Sequence, residues 1–290
     1  MKTTERSRGF LPGAILTLLM CAVALAGPPG ADAAGARYSV FAVNDLGMHC
    51  YQRSYAGFMV LPPANNVKVQ VFRKGGEGAR LVTSGIRVTY RIVNNTRSAN
   101  KTDFWKYAAS YGFVGLKPNV GITGNGLSGR MKLDASKRFW IATAIPITPY
   151  DDAMKFDPLQ VARIEVRSTS TGKVIAVQPK VVVPVSDEMR CDYCHGPRDT
   201  TGSILQAHDA DNGTTLYADL QAGTRHACSQ CHRDNALAAP GMPGVEPLSQ
   251  AMHGFHAGKT SATTVAPDCY TCHPGAITKC LRGRMPAFRS

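Results

Sequence analysis

From Tyr38 to Val185 apolar and polar residues alternate in short runs. Val67 to Phe72 reads Val, Lys, Val, Gln, Val, Phe, and Gly85 to Val93 sets Ile86, Val88, Tyr90 and Ile92 on one face with Arg87, Thr89 and Arg91 on the other. A period of two marks half-buried strands, because successive side chains leave opposite faces of a sheet. Arg138 to Ile147, Gln160 to Arg167 and Gly172 to Val185 continue the pattern. Asn94-Asn95, Gly124-Asn125-Gly126 and Thr171-Gly172 supply turns between the runs. About seven strands in roughly 150 residues predict an antiparallel β-sandwich, immunoglobulin-like in shape. Asp103 to Tyr111 reads as a short helix or an aromatic insertion, and packing is the better use for Phe104, Trp105, Tyr107 and Tyr111 than a carbohydrate platform.

After Ser186-Asp187-Glu188 the alternation stops, and Gly, Pro, Ala, His and Cys dominate. Three C-x-x-C-H pentapeptides follow: Cys191-Asp-Tyr-Cys194-His195, Cys228-Ser-Gln-Cys231-His232 and Cys269-Tyr-Thr-Cys272-His273. Two cysteines three apart share one face of a helical turn, where they can add to the two vinyl groups of one porphyrin while the next histidine reaches the iron. Zinc is the competing ligand. A four-cysteine zinc site separates its pairs by about 15 to 20 residues, whereas here 33 residues lie between Cys194 and Cys228 and 37 between Cys231 and Cys269. Zinc would also leave the histidine after each pair unexplained. The motifs therefore predict three covalently bound haem c groups, attached at Cys191, Cys194, Cys228, Cys231, Cys269 and Cys272.

Three haems on about one hundred residues leave little aliphatic side chain to bury, so thioether bonds, axial ligands and porphyrin faces have to act as the core. Short helices are expected at each motif and over Leu248 to Ala257, with a Pro/Gly/Ala linker at Ala236 to Pro247. The organisation read from the chain is a signal peptide over 1–33, a β-sandwich domain over 34–186, and a loop-rich, mainly short-helical triheme cytochrome c domain over 187–290.

The amino terminus agrees with haem attachment outside the cytoplasm. Lys2, Arg6 and Arg8 form a basic region, Ala14 to Ala26 is apolar, and Ala31-Asp32-Ala33 offers a cleavage site. The apolar run is shorter than the roughly 20 residues of a membrane span, which favours a cleaved secretory signal over an anchor. No transmembrane segment is expected after cleavage, and the predicted location is periplasmic or secreted. Met20 before Cys21 is too bulky for a lipoprotein signal.

Charge is uneven. Residues 34–186 carry 21 Lys and Arg against 8 Asp and Glu, while 187–290 carry 9 against 10. Six haem propionates would bring the second part to about −7, so electrostatic attraction between the parts is expected. An anionic envelope component or extracellular acceptor is a further candidate partner for the basic region. Nucleic acid is not, because the charges are scattered singly through strand-like runs with no recognition helix.

His195, His232 and His273 are the proximal ligands that the motifs dictate. The sixth ligands have to come from His49, His208, His226, His253 and His256. Methionine would raise the potential, but the free histidines outnumber the vacancies, so three bis-histidyl irons are the economical reading. His253 and His256, three apart on a predicted helix, share a side. His208 follows the first motif by thirteen residues. His226, two residues before Cys228, is the reserve, and His49 is expected to be an ordinary surface or turn histidine.

The chain resembles multihaem cytochromes c of respiratory bacteria that carry an amino-terminal β domain. The segments that carry the resemblance are Asn44-Asp-Leu-Gly-Met-His49-Cys50, Leu205-Gln-Ala-His208-Asp209, Met252-His253-Gly-Phe-His256, and Cys272-His273-Pro-Gly275 with Lys279-Cys280-Leu-Arg-Gly283. The resemblance implies periplasmic or extracellular electron transfer and favours His208, His253 and His256 over His226 as distal ligands.

The leading function is therefore a secreted triheme cytochrome that passes electrons between redox partner proteins, a carrier rather than an enzyme. A multihaem reductase of a small nitrogen or sulfur oxyanion is the alternative, and it needs an iron with an open site, which surplus histidines oppose. A β region that binds an envelope component or polysaccharide is the third reading, with no paired carboxylates, phosphate loop or nucleophile to give it chemistry. Once Cys21 is removed with the signal and six cysteines hold haem, Cys50 and Cys280 remain, and an oxidising compartment predicts a Cys50–Cys280 disulfide.

Overall fold

The computed structural model describes residues 37–75, 78–189, 191–257 and Thr278. The signal segment over 1–33, the third motif with Cys269, Cys272 and His273, and Cys280 lie outside the described residues.

The chain is mostly β-sheet with a few short helices. The strands are β1 (Tyr38–Val43), β2 (His49–Gln52), β3 (Asn65–Gly75), β4 (Gly78–Leu81), β5 (Ile86–Ile92), β6 (Ser128–Arg130), β7 (Lys132–Asp134), β8 (Phe139–Ile145), β9 (Val161–Ser168), β10 (Val174–Val182) and β11 (Val185–Met189). One sheet has the order β1-β3-β8-β7, with β4 pairing β3, and the other has β10-β9-β5-β6. Every pairing in these two sheets is antiparallel.

The period of two in the sequence becomes burial in the structure. Val67, Val69 and Val71 of β3, Ile86, Val88, Tyr90 and Ile92 of β5, and Ala162, Ile164 and Val166 of β9 are all buried and join one apolar cluster. The register Val88↔Val166, Tyr90↔Ile164 and Ile92↔Ala162 stacks the apolar rows of β5 and β9 side by side. Cross-strand pairs of this kind are what hold a sheet face together.

Asp103 to Tyr111 folds as the short helix α1 (Phe104–Tyr107) followed by a 3-10 turn. Its rings pack: Phe104 lies 5.1 Å from Tyr55 and 5.3 Å from Trp105, both edge to face. The Asp103 carboxylate accepts from the Tyr55 amide at 3.0 Å and the Ser54 hydroxyl at 2.9 Å. The Tyr111 hydroxyl donates to the Tyr55 carbonyl at 2.5 Å. These bonds give the loop after β2 a fixed shape.

A third, two-stranded sheet pairs β11 with β2 in parallel, with Ser186 opposite Cys50. The expected boundary at Ser186 therefore falls within a strand. Its residues Ser186, Asp187 and Glu188 are polar yet buried, so periodicity does not reveal them. Asp187 accepts from the Tyr150 hydroxyl at 2.9 Å, and Glu188 accepts from the hydroxyls of Ser186 and Thr278. These bonds offset the cost of burying the carboxylates, although the buried Asp187 Oδ1 has no hydrogen-bond partner among the described residues.

The second region is helical and short: α2 (Asp192–His195), α3 (Thr200–Asn212), α4 (Leu216–Gln221) and α5 (Leu248–Ala257). Asp199 caps α3 by accepting from the Gly202 amide at 2.9 Å, and α5 covers the segment expected from the sequence.

Candidate functional site

Each described C-x-x-C-H motif forms one tight turn, and the two turns repeat the same bonds. In the first, the amides of Cys194 and His195 donate to the Cys191 carbonyl at 3.3 and 3.0 Å. In the second, the amides of Cys231 and His232 donate to the Cys228 carbonyl at 3.2 and 2.9 Å. A single turn closed this way puts the paired cysteines on one face and leaves the histidine at its end. Burial pushes the Cys228 thiol up to about 12, with the nearby Cys191 sulfur adding to the shift.

The two motifs are seated differently. The second is fastened to the β region: Met59 and Ala227 form a parallel bridge in which the Met59 amide donates to the His226 carbonyl at 3.2 Å and the Cys228 amide donates to the Met59 carbonyl at 2.8 Å. Arg225 donates to the Ala56 carbonyl at 2.6 Å and lies 4.8 Å over the Tyr107 ring. Gly57 is there because a Cβ would stand 2.2 Å from the Thr201 methyl. The described contacts of the second motif with the β region are backbone bonds, a cation on a ring, and the buried Met59 and Ala227 side chains. Between the basic part over 34–186 and the acidic part over 187–290, Arg53 Nε lies 3.7 Å from the Asp187 carboxylate.

The Pro/Gly/Ala stretch after the second motif is irregular as expected, but it folds back. The Met242 amide donates to the Cys231 carbonyl at 2.7 Å and the Leu248 amide to the Arg233 carbonyl at 3.0 Å. Gly241 permits this with φ +67 and no Cβ, which would stand 2.3 Å from the Arg233 nitrogen. The return brings the Glu246 carbonyl to His232 and launches α5.

The histidines separate into two classes by the ring nitrogen that is already engaged. Nδ1 lies 2.7 Å from the Glu246 carbonyl in His232, 2.7 Å from the Ser249 carbonyl in His253 and 2.7 Å from the Met252 carbonyl in His256. In His208 it lies 2.9 Å from the Thr214 hydroxyl, which in turn donates to Asp209. In His195 the neighbour is the Ser203 hydroxyl, at a longer 3.5 Å. A carbonyl can only accept, so Nδ1 carries the proton in His232, His253 and His256 and Nε2 keeps its lone pair, the arrangement metal-binding histidines use.

His49 and His226 are the opposite case. The Nε2 of His49 is bonded to the Pro62 carbonyl at 2.8 Å, and that of His226 to the Asp219 carboxylate at 2.8 Å. His49 is also not the surface or turn residue the sequence suggested: it lies buried on β2, and burial lowers its pKa against the opposing effect of the Pro62 bond. The His226 Nε2 is engaged by the Asp219 carboxylate, so its place two residues before Cys228 does not make that nitrogen available.

The structure brings two motif histidines, His195 and His232, each beside a partner that the sequence nominates. The His195 and His256 rings have centroids 6.4 Å apart, and those of His208 and His232 are 6.3 Å apart. Burial, and then the neighbouring His256, hold His195 below the ordinary histidine pKa, which favours the neutral, ligating form. A cavity of about 680 Å³ opens beside His195, lined by Gly196, Ser203, Gln206 and Ala207 among others. That volume is of cofactor size. Among the described residues no three His, Cys, Asp or Glu side chains converge as a metal site, whereas a haem iron needs only two axial nitrogens, and paired histidines supply them. The donor set thus fits haem.

Sequence reasoning did not identify the groups that orient these rings. Ser203, Thr214, and the carbonyls of Glu246, Ser249 and Met252 take that part. Backbone carbonyls leave no trace in residue identity.

No family model, curated protein or solved structure matches the chain. Among the described residues no helix is long and apolar enough to cross a membrane.

Proposed function

We propose that the protein is a secreted triheme cytochrome c that carries electrons between respiratory partner proteins, with an immunoglobulin-like β-sandwich followed by a multihaem cytochrome domain. The single observation that carries this reading is the division of the histidines: His208, His232, His253 and His256 are held through Nδ1, while His49 and His226 are held through Nε2. A metal-binding role through Nε2 accounts for that division.

Bound haem would supply one reversible electron per iron, and a two-histidine environment keeps each iron six-coordinate in both oxidation states. The chain's own part is to hold the Cys191/Cys194 and Cys228/Cys231 pairs on single turns and to fix the tautomers of the ligating rings. It also seats the second motif on the β region through Met59. His253, oriented as His256 is, is the distal residue kept for the third motif, whose His273 is proximal on this reading. The absence of an open coordination site separates a carrier from an oxyanion reductase.

Mass spectrometry of the mature protein tests the proposal. Cleavage after Ala33 with three covalent haems is the expected result, together with reversible reduction by an external donor and slow turnover of nitrite and hydroxylamine. A protein that holds zinc in place of haem, or that consumes either small molecule rapidly, would overturn it.

A further inference from the structure

We infer that the first two haems are ligated in a nested order: His195 of the first motif shares its iron with His256 of α5, and His232 of the second motif shares its iron with His208 of α3. This rests on the cytochrome reading above. Two imidazoles on opposite sides of one metal each sit about 2.0 to 2.1 Å from it through nitrogen. The centre of a five-membered ring with bonds near 1.35 Å lies about 1.15 Å beyond that nitrogen. The two ring centres are then about 6.4 Å apart. The observed 6.4 Å for His195/His256 and 6.3 Å for His208/His232 match that spacing.

Chain order makes the pattern nested. The His208 and His232 pair lies within the span from His195 to His256, so the first iron would tie together segments on either side of the second motif, while the second iron would tie α3 to that motif. Among its residues α3 buries only Gly202 and Leu205, and its Asp209 carboxylate accepts from the Leu216 and Tyr217 amides of α4. Nested ligation gives each helix its own tie: the second iron would hold α3 to the second motif, and the first iron would hold α5 to the first motif.

The test marks one haem at a time in the full, exported, haem-loaded chain. Cys194→Ser leaves the first haem attached by one thioether with one vinyl still conjugated, which red-shifts its α-band and makes it separately visible in a redox titration. Adding His256→Met, which replaces nitrogen by a thioether ligand, should raise the potential of the red-shifted haem. Adding His208→Met should leave that haem unchanged and shift an unmarked one. With Cys231→Ser as the mark the responses should exchange. If the marked first haem responds to His208→Met instead, the pairing is direct and the inference is wrong.

Should the methionine variants fail to fold, the unmodified protein still decides. Its ring planes are 82° and 88° apart in the two pairs, so two of its low-spin iron signals should be the highly anisotropic type of near-perpendicular imidazoles. Rhombic signals from all irons would contradict the pairing. A preparation with no haem would instead defeat the cytochrome reading itself.

Discussion

The strands from 38 to 189 and the helices from 192 to 257 are built on opposite principles. The first region buries its own side chains: Val67, Val69, Val88, Ile164 and Val166 lie at or near zero exposure, with Tyr51, Tyr55 and Phe104 beside them. The second buries only Leu205, Ala227 and Leu248 among its described apolar side chains, and Ala227 is at the bridge to Met59. A segment with so few buried apolar groups cannot offset the conformational entropy of ordering its backbone. What it has instead is a set of oriented histidines and paired cysteines. Where the core is made of side chains, hydrophobic period reports the fold. Where the core is a cofactor, only the attachment chemistry does.

The strongest way to break this contrast is to withhold haem. Protein produced without haem maturation should keep slow amide exchange in β3, β5 and β9 and lose protection through α3 and α5. A haem-free chain with α3 still protected would mean that the second region has a core of its own.

The tail of the chain sets the next largest effect. Thr278 donates to Glu188 through its amide at 3.2 Å, and Glu188 lies on the strand whose Ser186 pairs with Cys50. We expect a Cys50–Cys280 disulfide, worth about 4 to 5 kcal/mol by chain entropy and less if strained. Thiol labelling of the unfolded, unreduced protein should find no reactive cysteine, whereas two labelled sites would remove the bridge. Within the β region, Ile164→Ala should cost about 2 to 5 kcal/mol in denaturant unfolding while leaving the haem spectrum of the folded protein unchanged. A shifted spectrum would show that the two regions are not separable in this way.

The sharper test of the junction is Gly57→Ala, whose new methyl would run into Thr201. Overpacking of this kind costs about 1 to 3 kcal/mol, and Thr201→Gly should recover most of the loss in a double-mutant cycle. Additive effects would mean that the loop does not press on α3. Raising salt should change little here, because the described junction carries few opposed charges.

The smallest effect belongs to Asp152. Burial raises its carboxyl, but the Thr96 amide and hydroxyl and the Lys101 ammonium outweigh this and hold its pKa below the ordinary value. A depressed carboxylate stabilises above the unfolded pKa and loses that contribution as pH falls through the folded one. Stability should therefore decline below about pH 4, and Asp152→Asn should flatten part of that decline at a neutral-pH cost under about 1 kcal/mol. An unchanged acid limb would contradict it.

The β region was legible because Val67 to Phe72 and Gly85 to Val93 must alternate if one face is buried. Strands β2 and β11 were not, since His49 to Gln52 and Ser186 to Glu188 are buried on both sides and carry polar residues with no apolar alternation. The motifs, α5 and the candidate ligands His208 and His256 could be read from residue type and spacing. Their partners could not: whether a histidine is spoken for depends on carbonyls such as those of Pro62 and Glu246, which any sequence supplies. His49 shows the consequence, a histidine that looks superficial in sequence and is buried in the fold.

The central claim is that paired histidines close every iron, and the most direct test is the low-temperature EPR spectrum of the oxidised, purified protein with and without added cyanide. The account predicts only low-spin signals, integrating to three irons and unmoved by cyanide. A high-spin signal that converts on cyanide addition would show an open iron and contradict it.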